Sequence, residues 1–482
     1  MRTRWAALLA LALAACTPNL PNLAPVAQAP TALPLPAPSV TPEPSATPRP
    51  SPTPEPSATP RPSPTPRPTV TPELLPPTAT LAPLTQAQRS EIFDRVWRLV
   101  RDRYVYPDYR GLDWNAVRKD YAPRAAAAET PEQFYAVLRE MIHELGDDHS
   151  RFESPQEVVE EQAVFDGDLR YAGVGAEVRE LPDGALITKI AHGGPAEQAG
   201  LRPRDLILAI GGVPISDTAH FGPDGPIGAV RGLPGTTVRL TVRSPSGVPR
   251  EVTLTRRPIS SDAFTQVEAL RLPGGRVGLL RIDTFYVDEL DQRVREALGR
   301  LTRDGPLEGL IIDVRENGGG RIDLMLATIG LFADGGAIGS SSGRAESERL
   351  RVPKGDTLSG FAKTPIVVLI GPETASAAEM FAAGMRSLGR ARVVGTTSAG
   401  NTENLVAHDF TDGSRLWLAE LAYHLPDGRL IEGQGVRPDR AVDVEWWRFA
   451  PPDDPQIQAA LDEIYHHATA SAGSGKTIAR RN

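Results

Sequence analysis

The sequence predicts an α/β protein: a mainly parallel α/β core, preceded by a helical segment and by a unit of many short strands. Between 261 and 450, short β-branched apolar runs alternate with helical patterns, which is typical of a parallel sheet covered by helices. Apolar residues at helical spacing fill 85–148. The interval 165–258 instead breaks into short apolar runs separated by glycines, so this unit should be rich in β-strands.

Composition limits the classes of function. The chain has 482 residues, enough for two or three domains, and a net charge of −8. It contains no block of basic residues, so we expect no nucleic-acid partner. Its one cysteine, Cys16, excludes disulfides within the chain.

The first 16 residues have the pattern of a targeting segment. Arg2 and Arg4 precede the apolar run Trp5–Leu13, which is too short to span a bilayer as a helix. The sequence LAAC, ending at Cys16, resembles the bacterial lipoprotein signal. We therefore predict a signal peptide over 1–16, lipidation of Cys16 and an extracytoplasmic protein anchored to a membrane of the cell envelope. An ordinary secretory signal with a chance cysteine is the alternative.

Residues 17–84 are predicted to be a Pro/Ser/Thr-rich disordered linker. The twelve residues TPEPSATPRPSP occur at 41–52 and again at 53–64. Such a composition cannot bury a core and favours extended polyproline conformations. The segment should act as a semi-rigid stalk between the membrane and the globular body.

Residues 85–160 are predicted to form the N-terminal helical segment. Thr130 and Pro131 give a good helix start, and that helix should end near Leu145-Gly146. His149 follows on a polar loop, where a histidine is often only a surface residue. His143 and His149 are six positions apart and do not match a helical metal pair, so no metal site is predicted.

Residues 161–260 resemble a PDZ domain of the kind found in bacterial proteases. The specific segments are GPAEQAGL at 194–201 and RDLILAIGG at 204–212. A glycine-bearing loop runs from Tyr171 into an alternating strand that reaches Val178. The resemblance implies that backbone N–H groups around Tyr171, Ala172, Gly173 and Val174 bind the C-terminal carboxylate of a peptide, which adds as a strand.

The core is predicted over 261–450, and two loops that follow its strands are candidates for the functional site. The strand Gly309–Val314 runs into a loop that ends in three consecutive glycines, and the strand Ile366–Ile370 leads to Ser376 at the start of a helix. The carboxyl ends of parallel strands share one sheet edge, where ligands bind in such folds. Ser376 is therefore a candidate nucleophile, although a simple N-cap role also fits. Residues 451–482 should form a C-terminal helix and a flexible tail.

Taken together, the segments DVRENGGG, TASAAEMFAAGMRSLGRARVVG and IEGQGVRPD, in this order after a PDZ-like unit, resemble the C-terminal processing (tail-specific) serine peptidases. The resemblance covers about 88–445. It implies a membrane-tethered, extracytoplasmic serine endopeptidase that binds polypeptide substrates with free C-termini and forms an acyl-enzyme, with no cofactor.

The resemblance also assigns the catalytic groups. Many members place a lysine 25 positions after the serine, but here that position is Asn401, which has no basic nitrogen. In a sister branch, which includes the tricorn protease core, a histidine and a glutamate serve instead, and these correspond to His149 and Glu432. Whether Asp148, Ser150 or neither links this histidine to the glutamate stays open.

The resemblance further implies that backbone N–H groups of Gly319 or Gly320, and of Ala377, form the oxyanion hole. A non-hydrolytic lipoprotein that binds peptides or apolar ligands on the same fold is the alternative function. A tethered scaffold that uses only its PDZ-like unit is a third.

Overall fold

The computed structural model describes residues 81–147, 149–165, 170–221, 225–264 and 267–474. The predicted signal peptide with Cys16, most of the predicted linker, and Asp148 lie outside the described residues. No helix within the described ranges is both long and apolar enough to cross a membrane.

The described chain begins with a helical segment. Its helices are α1 (Gln86–Arg103), α2 (Trp114–Ala127) and α3 (Pro131–His143), followed by the short strand β1 (Arg151–Glu153) and by α4 (Pro155–Phe165). The Thr130 hydroxyl caps α3 by accepting a hydrogen bond from Gln133 N at 3.3 Å, with Pro131 in the first turn. The sequence predicted this helix start correctly.

The unit between 170 and 260 is rich in short strands. Its elements are β2 (Arg170–Gly173), β3 (Ala176–Leu181), β4 (Gly184–Ile190), α5 (Pro195–Gln198), β5 (Leu206–Ile210), β6 (Val213–Pro214), α6 (Gly225–Val230), β7 (Thr237–Arg243), β8 (Arg250–Thr255) and β9 (Arg257–Ser260). The main sheet has the order β3-β4-β5-β7-β8, so β3 is an edge strand. Its outer edge can accept an added strand.

One expectation for this unit was wrong. Tyr171–Gly173 was read as a loop, but it belongs to β2, which pairs with β9 in a separate two-stranded ribbon. The turn is confined to Val174 and Gly175, where Gly175 has φ +76°. Backbone pairing with β9 therefore overrides the loop signal of the glycines.

The rest of the described chain forms the core. Its elements are β10 (Glu268–Arg271), β11 (Val277–Arg281), α7 (Leu290–Leu301), β12 (Gly309–Asp313), α8 (Ile322–Gly330), β13 (Ala337–Gly343), β14 (Ser347–Arg351), β15 (Ile366–Ile370), α9 (Ala377–Ser387), β16 (Arg392–Gly395), β17 (Asn404–Asp409), β18 (Arg415–His424), β19 (Arg440–Ala441) and α10 (Pro455–Ser474).

A six-stranded sheet with the order β10-β11-β12-β15-β16-β19 lies at the centre of this core. Its pairings are parallel except that between β10 and β11. Along β15, Ile366, Val368 and Ile370 pack in the cluster that includes α7, α8 and α9. Val367 and Leu369 pack instead with residues of α10. The two-residue period of a strand thus accounts for the three layers.

A second sheet of the core was not predicted. Strands β1, β18, β13 and β14 lie in this order, with β17 also paired to β18, and all of these pairings are antiparallel. One face joins the helical segment, because Phe410, Leu416 and Leu418 share a core cluster with α1–α3. The sheet places His149 just before β1 and Glu403 just before β17.

Candidate active site

Ser376 lies at a sharp turn between β15 and α9. Its backbone has φ 52° and ψ −124°, a conformation that a residue with a side chain rarely adopts and that costs on the order of 1–3 kcal/mol. Neighbouring bonds hold it in place: Ala375 N donates to Asn317 O at 3.0 Å and the Thr374 hydroxyl donates to Val314 O at 2.8 Å. A strained serine between a strand and a helix is typical of a catalytic nucleophile.

The loop around this serine is built on Glu379, one turn into α9. Glu379 is fully buried, and its carboxylate accepts four hydrogen bonds, at distances from 2.6 to 3.2 Å, from Ser398 Oγ and from the backbone N–H groups of Gly400, Asn401 and Ser376. Burial raises the pKa of Glu379, while these donors act in the opposite direction. Glu379 was not assigned to the site from the sequence. Its spacing of three from Ser376 was the available signal.

The glycine loop after β12 touches the serine directly. A Cβ on Gly319, which has φ +105°, would lie 2.6 Å from Ser376 Cβ, so only glycine fits there. The Gly319 N–H donates to Asn317 Oδ1 at 2.8 Å and is thus used within the loop in this conformation. The oxyanion roles expected for Gly319, Gly320 and Ala377 stay predictions.

His149 is positioned by a turn that Asp147 closes. Asp147 Oδ1 accepts hydrogen bonds from His149 N at 3.0 Å and Ser150 N at 2.5 Å. The Ser150 hydroxyl donates to Asp147 Oδ2 at 3.0 Å and accepts from Ala419 N at 3.1 Å. These contacts fix the turn against β18 and give Ser150 a structural role. Asp148, the other residue considered as a connection between His149 and Glu432, lies outside the described residues.

His149 and Glu432 are brought together, as the resemblance implied, with Glu403 as a third member of the cluster. One side-chain ligand atom of each residue lies within 4.8 Å of the others. His149 Nε2 lies 3.6 Å from Glu403 Oε2. Glu432 Oε2 accepts hydrogen bonds from Thr402 N at 2.6 Å and from Thr402 Oγ1 at 3.1 Å.

Glu403 is the site residue that sequence reasoning missed. It is 3% exposed. The Tyr106 hydroxyl acts on it as a donor, but within the described residues neither carboxylate oxygen has a well-formed hydrogen bond. Burial, and next the charge of Glu432, raise the pKa of Glu403 to about 7. Nothing in the segment TSAGNTEN distinguishes this glutamate from a surface residue, because its burial depends on the unpredicted antiparallel sheet.

One short segment links the serine to this cluster. Ser376 N donates to Asn401 O at 2.7 Å, Thr402 binds Glu432, and Glu403 approaches His149. Three consecutive residues therefore contact the nucleophile loop, the carboxylate loop and the histidine. Asn401, at the position where the family resemblance implies a lysine in many members, contacts Ser376 through its main-chain oxygen.

The β-rich unit reaches this site through Arg179, on the edge strand β3. Its guanidinium pairs with Glu316 at 3.0 Å and with Glu373 at 2.9 Å. Glu316 belongs to the glycine loop, and Glu373 lies three residues before Ser376. Burial raises the pKa of Glu316 to about 7, although the Arg179 charge acts to lower it. The edge strand β3 is thus in direct contact with the glycine loop and with the loop that precedes Ser376.

Comparisons with known proteins agree with this architecture. Residues 276–442 match peptidase family S41, residues 85–143 match the tricorn protease C1 domain, and residues 186–244 match a PDZ domain. The carboxyl-terminal-processing protease of Synechocystis is 30% identical over 390 residues, which cover 80% of this chain and 88% of that protein.

A solved structure shows the same fold. The photosystem II D1 C-terminal processing protease has a TM-score of 0.52 and 24% identity, and the match covers 75% of this chain and 94% of that chain.

The fold and the matched sequence define a serine peptidase with a PDZ domain. The chain belongs to peptidase family S41, together with the carboxyl-terminal-processing proteases. This membership favours the enzyme over the alternatives of a non-hydrolytic lipoprotein and a scaffold.

Proposed function

We propose that this serine peptidase cleaves polypeptides captured by their C-termini, with Ser376 as nucleophile and His149 as general base. The observation that carries this assignment is the segment 401–403, which contacts Ser376 at one end and His149 at the other. The imidazole takes the proton of the Ser376 hydroxyl as the oxygen attacks the peptide carbonyl. It then gives that proton to the leaving amine, which completes the acyl-enzyme.

Two carboxylates serve the base. Glu432, held by Thr402, and Glu403, 3.6 Å from the imidazole, stabilise the imidazolium that forms during proton transfer. Since burial and mutual repulsion disfavour two ionised glutamates, the positive charge on the imidazolium relieves an unfavourable field.

The oxyanion that forms in the tetrahedral intermediate is bound by backbone N–H groups of Gly320 and Ala377. Both residues flank the contact between Gly319 and Ser376. Loss of one such donor typically costs about 3–4 kcal/mol of transition-state stabilisation. Gly319, which has no side chain, allows the glycine loop to approach the turn at Ser376 closely.

The PDZ domain supplies the substrate. A peptide adds along the outer edge of β3, and its terminal carboxylate meets backbone N–H groups at the turn around Val174, next to the β2 residues Tyr171, Ala172 and Gly173. The printed name of the Synechocystis relative, a carboxyl-terminal-processing protease, supports substrates of this class.

A fluorophosphonate probe tests the chemistry, since it labels only an activated serine. The full chain should be labelled at Ser376 and should cleave an unstructured peptide with a free C-terminus. Ser376→Ala and His149→Ala should each lower kcat by at least about 1,000-fold. Ser359→Ala and His192→Ala, which alter exposed residues outside the proposed catalytic groups, are the matched controls. Normal turnover of His149→Ala would remove the histidine from the mechanism.

We further propose that Cys16 carries a lipid and anchors the enzyme outside the cytoplasm, with residues 17–84 as the stalk. The position of the chain's one cysteine at the end of an apolar leader supports this. In a bacterial host, the enzyme should fractionate with membranes and incorporate a labelled fatty acid. Cys16→Ala should abolish that labelling while a detergent-free extract retains peptidase activity.

A further inference from the structure

The cluster of His149, Glu403 and Glu432 also has the donor set of a metal site. One imidazole nitrogen and two carboxylate oxygens lie within 4.8 Å of one another. Three protein ligands of these types, with a fourth position left for water, are the pattern of many open zinc sites. With zinc–ligand bonds of about 2.0–2.2 Å, tetrahedral ligand atoms stand about 3.3–3.6 Å apart, and His149 Nε2 and Glu403 Oε2 are already 3.6 Å apart.

Glu403 gives a second, independent indication. It is 3% exposed and faces the cluster. The Tyr106 hydroxyl acts on its carboxylate as a donor, yet neither oxygen has a well-formed hydrogen bond in the described part of the chain. A buried carboxylate so weakly satisfied is costly unless a charge compensates it. A bound dication would supply that compensation.

The surroundings fit a cation. The carboxylates of Glu403, Glu432 and Asp147 contribute negative charge here, while Arg110 is the positively charged neighbour that acts on Glu403. The guanidinium of Arg110 is engaged with Gly146 O at 3.0 Å. Outer contacts that orient the ligands are also present, because Thr402 holds Glu432 and Asp147 holds the backbone of His149.

We propose that a divalent transition-metal ion, Zn²⁺ foremost, binds His149, Glu403 and Glu432 and thereby inhibits the peptidase. A metal on Nε2, the nitrogen that faces Glu403, leaves the ring proton on Nδ1, so neither nitrogen of the imidazole can accept the serine proton. Imidazole with carboxylates favours Zn²⁺ over Mg²⁺ or Ca²⁺, which prefer oxygen ligands throughout. The inhibitory effect rests on the proposed role of His149 as base, but the binding site itself does not.

Binding is measured first without any need for activity. Full-length Ser376→Ala protein is titrated with CoCl₂, and the visible absorption of imidazole-bound Co²⁺ is followed, with ZnCl₂ as competitor. We expect one Co²⁺ per chain, displaced by Zn²⁺. Because loss of an outer contact alone typically weakens metal binding about 10–100-fold, Glu403→Gln and His149→Ala should each weaken it by at least about 100-fold.

A matched control is available in the PDZ domain. His192 Nδ1 lies 3.2 Å from Glu197 Oε1 at an exposed position, so His192→Ala removes an imidazole–carboxylate pair of the same chemistry. This variant should bind Co²⁺ as the parent does. Circular dichroism checks that Glu403→Gln is folded, and His149→Ala provides the test if it is not.

Inhibition is measured with the wild-type enzyme and the peptide substrate. Zn²⁺ should inhibit with a midpoint equal to its measured Kd, and a chelator should restore turnover. Equal Co²⁺ binding by parent, Glu403→Gln and His149→Ala, or stimulation of cleavage by Zn²⁺, would overturn the proposal. If metal binds through these residues but no peptide is cleaved, the proposed function fails and the site stands. If peptide is cleaved but no metal binds, the metal site fails and the proposed function stands.

Discussion

Glu379 and Glu403 are both buried glutamates next to the catalytic site, and their surroundings differ. Glu379, beneath Ser376, accepts four hydrogen bonds. Glu403, beside His149, has no well-formed hydrogen bond within the described residues and lies close to a second carboxylate, with Tyr106 and Arg110 offsetting only part of its burial. The proposed nucleophile is therefore held by satisfied contacts, whereas the proposed base lies beside weakly compensated negative charge. We infer that the surroundings of Ser376 fix the geometry of its side chain, whereas the surroundings of His149 respond to protons and cations.

The largest effect is expected from Glu379. Its replacement by Ala leaves Ser398 Oγ and the backbone N–H groups of Gly400 and Asn401 without their acceptor, so the free energy of unfolding should fall by about 3–5 kcal/mol. Chemical denaturation measures this, with Glu348→Ala on an exposed strand position as control. Glu379→Gln, which retains one oxygen, should lose less. If Glu379→Ala and Glu348→Ala are equally stable, the hydrogen bonds to Glu379 do not stabilise the fold and the contrast between Glu379 and Glu403 is wrong.

Gly319→Ala should reduce kcat by about 100-fold, because the added Cβ would meet Ser376 Cβ at 2.6 Å and displace the nucleophile. Gly318→Ala is the matched control, since a Cβ there meets nothing within 4 Å. Steady-state kinetics with the peptide substrate measure both. Similar kcat values for the two variants would show that the loop can yield.

Glu403 should make stability depend on pH. Its folded pKa is about 7 against an ordinary 4.5, so the folded chain holds a proton that the unfolded chain has lost between these values. Stability should therefore fall as pH rises from about 4.5 to 7, and Glu403→Gln should remove that loss. We expect the variant to gain about 2 kcal/mol over wild type between pH 4.5 and 8, against an upper limit near 3 kcal/mol.

Denaturation of both proteins at each pH measures this difference. Glu348→Gln, at an exposed site, should track the wild type. A constant difference between Glu403→Gln and wild type at all pH values would mean that Glu403 titrates normally.

Arg179→Ala should have the smallest effect. It leaves the buried Glu316 without its guanidinium partner, so we expect a loss of about 1 kcal/mol in stability. Turnover should fall several-fold, because both loops that Arg179 pairs with carry proposed catalytic groups. Arg239→Ala breaks an exposed pair with Glu251 in the same domain and should change neither quantity.

Much of this architecture could be predicted from the sequence. The β15–Ser376–α9 unit, the glycine loop and the PDZ-like unit each depend on local patterns of apolar residues, glycines and caps, and the structure contains all three. The antiparallel sheet could not be predicted, because β18 pairs with β13 and with β1 across long stretches of chain. Glu403 was missed for the same reason, as its burial follows from that pairing. His149 and Glu432 came from the family resemblance rather than from periodicity.

The contact between Ser376 and Asn401 has an evolutionary consequence. Ser376 N–H binds the main-chain oxygen of Asn401, so the loop geometry does not depend on which side chain this residue carries. Descendants of one ancestor can therefore exchange a lysine for an asparagine here without rebuilding the turn at Ser376, provided that another group accepts the proton of the serine hydroxyl. The same scaffold can thus pass from one proton acceptor to another through single substitutions.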